Sequence, residues 1–222
     1  MLLGLMLFGL ERGCREVFPD YLSAAVLLLS LVASTRALHL DGLMDTCDGL
    51  FGGFTPERRL EIMRDSRVGA FGVAGAVGLL LLKYGALVSL LGLNELGKEW
   101  SLLLFPMLSR WSMVVALGAF PYVRAQGLGS PFHQGGVRWA TAAAAAAAVI
   151  SAVLLGGIGG AGMLAGASVL AWLLGWAMAG RLGGLTGDTY GAVNEVVEVV
   201  VLMVAVALLP HGWVEPLPEL FG

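Results

Sequence analysis

Of the 222 residues, 58% are hydrophobic and 13% charged, with a mean hydropathy of +0.84, whereas a soluble domain carries about 25% charged residues. A water-soluble fold is excluded, and a net charge of −3 gives no reason to expect nucleic acid as a partner. The composition predicts an all-α, polytopic membrane helix bundle, one domain over residues 1–222, in contact with membrane lipid.

Met1–Leu10 is apolar but too short to span, and lacks the basic start and cleavage signal of a leader. It reads as an interfacial segment or the tail of a helix whose beginning is missing. Glu11–Asp20 is a polar connection with Arg12 and Arg15, and Tyr21–Leu38 is the first predicted span. His39-Leu-Asp-Gly-Leu-Met-Asp-Thr-Cys-Asp-Gly49 follows directly. Its aspartates at 41, 45 and 48 fall within an arc of roughly 60° on a helix. Three carboxylates in one stripe, beside apolar runs where acidic residues are costly, suit Mg²⁺ holding a phosphate-bearing substrate. The plain alternative is a solvated acidic face. Cys47, inside the stripe, and Cys14 suggest neither a disulfide framework nor a thiolate metal site. A lone histidine such as His39 more often packs or caps, the functional alternatives being a general base or a phosphate donor.

Thr55-Pro56-Glu57 predicts a helix start. The charged stretch Pro56–Arg67 predicts a helix on the cytoplasmic membrane surface, bearing Arg58, Arg59, Arg64 and Arg67. Asp65-Ser66-Arg67 offers a further carboxylate, hydroxyl and guanidinium. The later predicted spans are Val68–Leu93, interrupted by Lys83; Ser101–Phe120, interrupted by Arg110; Trp139–Leu155; Met163–Gly180; and Asp188–Leu209, giving about six in all. In the fourth, Ala142–Ala148 allows close helix approach. The loop Pro121–Arg138 holds Arg124, His133, Gln134 and the Gly127-Leu128-Gly129 turn, which could fold over a ligand.

Alternate connections hold Arg36, Arg58, Arg59, Arg64, Arg67, Arg124, Arg138 and Arg181, against Lys98 alone opposite. That asymmetry puts the aspartate stretch on the cytoplasmic side of the inner membrane, with Arg12 and Arg15 on the unexpected face. Leu182-Gly-Gly-Leu-Thr-Gly-Asp-Thr-Tyr-Gly191 opens the last span on the same side. Glycines there, with Thr186 and Gly187, can bring backbone N–H groups to phosphate. Asp188 reads equally as a fourth cation ligand or as a helix cap. Glu195 and Glu198 lie deeper on the same helix. Lys83 and Arg110 either balance them as buried ion pairs or reach diphosphate oxygens, and Lys83 can alternatively snorkel.

These residues resemble the cobalamin synthase family (adenosylcobinamide-GDP ribazoletransferases). The resemblance rests on His39–Gly49, on Arg59-Leu-Glu-Ile-Met-Arg-Asp-Ser-Arg67 and on Arg181–Ala192 with Glu195 and Glu198. Lys83, Ser109-Arg110 and Arg124 with the Gly127–Gly129 turn also resemble family positions. It implies an integral membrane, Mg²⁺-dependent transferase that joins adenosylcobinamide-GDP to α-ribazole or α-ribazole 5′-phosphate and releases GMP. On that reading Asp41, Asp45, Asp48 and Asp188 are metal ligands, and the proton-accepting base is one of the aspartates or His39. Arg64, Arg67, Arg110, Lys83, Arg124, Thr186 and Gly187 are the phosphate contacts, with Asp65, Glu195 and Glu198 as secondary acidic groups. Family members usually carry a further segment before the region matching Met1–Leu10, so a truncated or mis-assigned start is expected. A phospholipid synthase of the CDP-alcohol type would need an Ala-Arg pair after the second aspartate, which residues 46–55 lack. Prenyltransferases fit the single aspartate of the second motif poorly. A transporter, with Lys83, Arg110, Glu195 and Glu198 lining a path, would be favoured by an internal repeat, and none is evident.

Overall fold

The computed structural model describes residues 1–93, 97–124 and 138–213. Among the described residues eight α-helices follow in order: α1 Leu2–Cys14, α2 Asp20–Ser34, α3 Leu38–Gly52, α4 Pro56–Ile62, α5 Ala70–Leu91, α6 Lys98–Ala119, α7 Arg138–Leu182 and α8 Gly187–Leu208. A 3₁₀ turn, Leu209–His211, ends the last. The described residues contain no β-strand, only an isolated bridge between Tyr122 and Leu185. Gly127–Gly129, His133 and Gln134 lie outside the described residues.

Helix α8 is the axis of the bundle. It packs against α3, α5, α6 and α7. Val193, Val197, Leu202 and Ala205 on it are wholly buried, with Leu104, Phe105 and Leu108 of α6 in the same core. The outer helices turn large apolar side chains outward, among them Leu81, Leu82, Trp172 and Trp176. In a bilayer that is the lipid-facing surface, where backbone groups must be satisfied within each helix.

The sequence reading of about six spans is approximate. Four helices are long and apolar enough to cross a membrane (α5, α6, α7 and α8), or five segments if α2 and α3 count together as one bent span. Helix α7 covers both predicted spans between 139 and 180. Its backbone leaves helical geometry at Gly157 (φ 56°, ψ −138°). A Cβ on Gly160 would collide with the carbonyl oxygen of Ala152, eight residues back and about 12 Å away along a straight helix. The chain therefore doubles back at Gly157.

The predicted first span, Tyr21–Leu38, also divides. Helix α2 stops at Ser34 and α3 leaves at 84° to it. Arg36 (φ 51°) and Ala37 (φ 57°) form the elbow in the left-handed region, a costly conformation for residues with a Cβ. At 15 residues, α3 is about 22 Å long and too short to cross alone.

The expected start at Thr55 is present. Its hydroxyl accepts from Arg58 N at 3.3 Å, and Pro56 stands at the first turn. The surface helix is shorter than Pro56–Arg67, ending at Ile62, so Arg64, Asp65 and Arg67 lie beyond it. Helix α1 seats Gly4 against the backbone of Leu103. Its Arg12 forms a bidentate pair with Glu99 (3.0 and 3.1 Å), and Arg15 approaches the same carboxylate. Both arginines thus stand at the Lys98 end of the bundle, partly neutralised by Glu99.

Candidate functional site

Helices α3 and α8 cross almost backbone to backbone. A Cβ on Gly42 would fall 2.9 Å from Asp188 Cα, and one on Gly191 would fall 3.1 Å from His39 Cα. The glycines beside the two acidic motifs thus permit the approach that joins them. Asp41, Asp45 and Asp48 lie one turn apart along α3, passing from exposed to half-buried to buried. The carboxyl of Asp45 stands close enough to Asp41, Asp188 and Asp48 to feel each of their charges, with Arg124 opposing them. Residues 41–48 and 188, at least 140 positions apart in the sequence, share one end of the molecule.

Each aspartate has a distinct setting. Both oxygens of Asp48 accept backbone hydrogen bonds, from Gly69 N at 2.7 Å and Gly72 N at 2.8 Å. Asp48 therefore satisfies first-turn N–H groups of α5 that would otherwise lack partners. Glycine keeps that carboxylate in place, because a Cβ at 69 or 72 would run into it, and at 72 would also meet the Met44 carbonyl. Asp188 is not the helix cap. Thr186 caps α8, its hydroxyl accepting from Thr189 N while Thr189 Oγ1 accepts from Thr186 N in a capping box. That leaves the Asp188 carboxylate to pair with Arg124 NH2 at 2.7 Å. Thr186 is wholly buried. Among the described residues, no three His, Cys, Asp or Glu side chains already stand in metal-binding array.

The turn before α8 is braced. Gly183 (φ 79°) and Gly184 (φ 157°) take conformations that favour glycine. Val123 N donates to Leu185 O at 2.9 Å and Leu185 N to Pro121 O at 2.8 Å, setting the backbone next to Arg124 beside Asp188. Arg59 spans the two motifs. Its Nε donates to Gly53 O at 2.9 Å, and its NH1 to Arg181 O at 3.0 Å. The sequence carries no sign of this strap, since both acceptors are backbone carbonyls; the only hint is Gly53, where a Cβ would strike Arg59.

His39 faces Asn194 across the crossing, with Nδ1 and Asn194 Nδ2 3.2 Å apart. This contact joins it to α8, and it is not the cap of α3, which is Ala37. Deeper in the bundle, Lys83 Nζ lies 2.6 Å from both Glu195 Oε2 and Glu198 Oε2. Arg110 NH1 donates to Glu198 Oε1, and Ser109 Oγ donates to it at 3.3 Å. Lys83 and Glu198 are completely enclosed. Of the readings open for Lys83, the buried ion pair is the one built, and no snorkelling occurs.

A cavity of about 490 Å³ opens beside Asp48, lined by Arg58, Glu61, Asp65, Arg67 and Gly69 among others. Arg67 grips Asp65 through Nε (3.0 Å) and NH2 (2.7 Å), and that hydrogen bonding holds the Asp65 carboxyl down at about 2. Arg64 is exposed near by. A larger apolar cleft, about 1000 Å³, lies at the other end of α8 between Gly157 and Trp213. Val200, Val201, Val204 and Leu208 line it, roughly 20–30 Å along the helix from Asp188. It is remote from the carboxylates.

The cobalamin-5-phosphate synthase family model matches residues 1–206. The chain belongs to this family. Proteins named adenosylcobinamide-GDP ribazoletransferase are similar to it. The one from Geotalea daltonii is 40% identical over 206 residues, 93% of this chain and 82% of its own length. That from Desulforamulus reducens is 42% identical over 198 residues, 89% of this chain and 78% of its own. A third, from Desulfitobacterium hafniense, is 48% identical over 117 residues, 53% of this chain and 46% of its own. No solved structure matches. In this cobalamin-5-phosphate synthase family member, the His39–Gly49 and Arg181–Ala192 motifs are the two that meet at the α3–α8 crossing.

Proposed function

We propose that the chain transfers the adenosylcobinamide-phosphate group of adenosylcobinamide-GDP to α-ribazole or α-ribazole 5′-phosphate, releasing GMP and forming adenosylcobalamin or its 5′-phosphate. The observation that carries the site assignment is the close α3–α8 crossing, which gathers Asp41, Asp45, Asp48 and Asp188. Family membership supports the reaction. Lys83, Arg110, Glu195 and Glu198 bond to one another, which does not favour a transport path.

The donor set suits Mg²⁺. Four carboxylates with one paired guanidinium leave an excess of negative charge, and hard oxygen donors match that ion. Asp41, Asp45 and Asp188 would hold it, with Asp48 contributing only a lone pair beyond those its two backbone bonds use. Bound there, it would neutralise the diphosphate and polarise the phosphorus under attack.

The chain's own residues supply the rest. Arg124 beside Asp188, and Arg67 and Arg64 near the 490 Å³ cavity, are the guanidiniums placed to orient anionic oxygens. Arg110 keeps part of its side chain exposed, 24%, above Glu198. Asn194 donating to His39 Nδ1 would leave the ring proton on Nε2, available to a phosphate oxygen. Gly42 and Gly191 keep the acidic helix against α8, and Arg59 holds the Gly-rich turn to the end of α3.

Arginines 36, 58, 59, 64, 67, 124 and 181 belong to the segments around this end, opposite Lys98. By the positive-inside rule this excess, set against Lys98 with Arg12 and Arg15 at the other end, supports a site at the cytoplasmic face of the inner membrane. The decisive experiment is Mg²⁺-dependent GMP release by purified protein given adenosylcobinamide-GDP and α-ribazole. Asp45→Asn should reduce turnover at least a hundredfold with its thermal transition unchanged. Undiminished turnover by Asp45→Asn would overturn the site.

A further inference from the structure

The pair between Arg124 and Asp188 has an unusual balance. Asp188 Oδ2 lies 2.7 Å from Arg124 NH2, with the two side chains only 17% and 22% exposed. The same oxygen is 3.5 Å from Thr186 Oγ1. Arg124 Nε and NH2 are both buried and neither makes a well-directed hydrogen bond among the described residues, the NH2 contact with Asp188 being an ion pair by proximity. A buried guanidinium N–H without an acceptor is costly, and it is the kind of group a ligand oxygen satisfies. The arginine's backbone neighbourhood is meanwhile pinned to the Gly-rich turn through Val123, Leu185 and Pro121. The stem is anchored while the head retains an unmet donor.

We propose that Arg124 is an exchangeable counter-ion. In the absence of a divalent cation its guanidinium neutralises Asp188. When Asp188 turns to a cation, Arg124 is released, and its Nε–H and NH2 groups pass to the anionic oxygens of the donor's diphosphate. The exchange rests on the magnesium reading above. It differs from a simple phosphate-binding role in one respect: Arg124 competes with the cation for Asp188. Removing it must therefore move two affinities in opposite directions. A purely structural arginine would weaken both. One that contacted only phosphate would weaken the nucleotide and leave the metal unchanged.

The test uses the full chain, purified in detergent or nanodiscs, as wild type, Asp45→Asn, Arg124→Gln and Arg124→Lys. Binding of Mn²⁺ alone is followed by the electron paramagnetic resonance of the free ion. Binding of GDP, which shares the donor's diphosphate, is followed calorimetrically in Mg²⁺. Loss of one charge-assisted contact on each side predicts about tenfold tighter Mn²⁺ and about tenfold weaker GDP for Arg124→Gln. Arg124→Lys, which keeps the charge without the planar fork, should fall between it and wild type for both ligands. It also supplies the measurement should the glutamine variant not fold. Mn²⁺ affinity in a folded Arg124 variant equal to or weaker than wild type overturns the exchange alone. Wild-type protein whose Mn²⁺ binding is absent, or is untouched by Asp45→Asn, overturns the magnesium site and the exchange with it.

Discussion

Replacing Lys83 with methionine would test whether the bundle is held by the charge network on α8. Two cations, Lys83 and Arg110, face two carboxylates, Glu195 and Glu198, all in contact and with Lys83 and Glu198 fully enclosed. Methionine fills nearly the same volume but leaves Glu195 without its cation. Breaking a buried pair from one side costs about 3–5 kcal/mol. Helices unfolded within a membrane find other polar partners, which favours the lower end, about 3 kcal/mol. At about 2–4 °C per kcal/mol for a chain of this size, the thermal midpoint should fall by about 6–12 °C. Lys83→Met with Glu195→Gln restores neutrality, leaving Arg110 and Glu198 as a pair. It should recover most of the loss, a coupling of about 2 kcal/mol. Thermal unfolding in a single detergent, read by circular dichroism across the four-member cycle, measures both quantities. A Lys83→Met midpoint within about 1 °C of wild type, or a double variant no better than the sum of the singles, would refute the reasoning.

Gly42→Ala should separate the helices at their crossing, because the new methyl would sit 2.7 Å from Asp188 O. The overpacking costs about 1–3 kcal/mol. A shift approaching 1 Å at Asp188 should lower kcat for GMP release about a hundredfold, against a modest change in midpoint. Arg59→Ala removes both bonds of the strap, one to the end of α3 and one to the end of α7, worth about 1–3 kcal/mol. Its effect should appear as a higher Mg²⁺ concentration for half-maximal GMP release, with Arg59→Lys recovering only part, since one ammonium cannot serve both carbonyls in the same fork geometry.

The sequence was informative where long apolar runs and side-chain chemistry speak for themselves. The transmembrane segments around Lys83 and Arg110, the start of α4 at Thr55, and the two acidic motifs could all be read from residue type and spacing. The elbow could not. Nothing in Thr35-Arg36-Ala37 announces two consecutive left-handed residues, and apolarity alone carries the predicted first span through Leu38. The role of Thr186 as cap was hidden because Asp188, two residues on, is an equally good capping type. Asp48 looked like its two neighbours in the stripe, yet it differs by reaching α5. The glycines at 69 and 72 were its trace in the sequence, though glycine alone does not name its partner. Arg59 escaped because backbone carbonyls at positions 53 and 181 carry no residue-specific signal.

One property of α8 bears on how the molecule can move. Asp188 opens this helix, while Glu195 and Glu198 follow about 10 and 15 Å further along its axis, bolted to α5 and α6. A slip of a single residue, about 1.5 Å of travel, would pull carboxylate from ammonium in an environment without water to compensate. The helix therefore serves as a stator. Any breathing that admits bulky reactants falls to the other wall, where the acidic helix leaves a strained hinge and is tied down by the Asp48 bonds and an arginine clasp rather than by buried ion pairs.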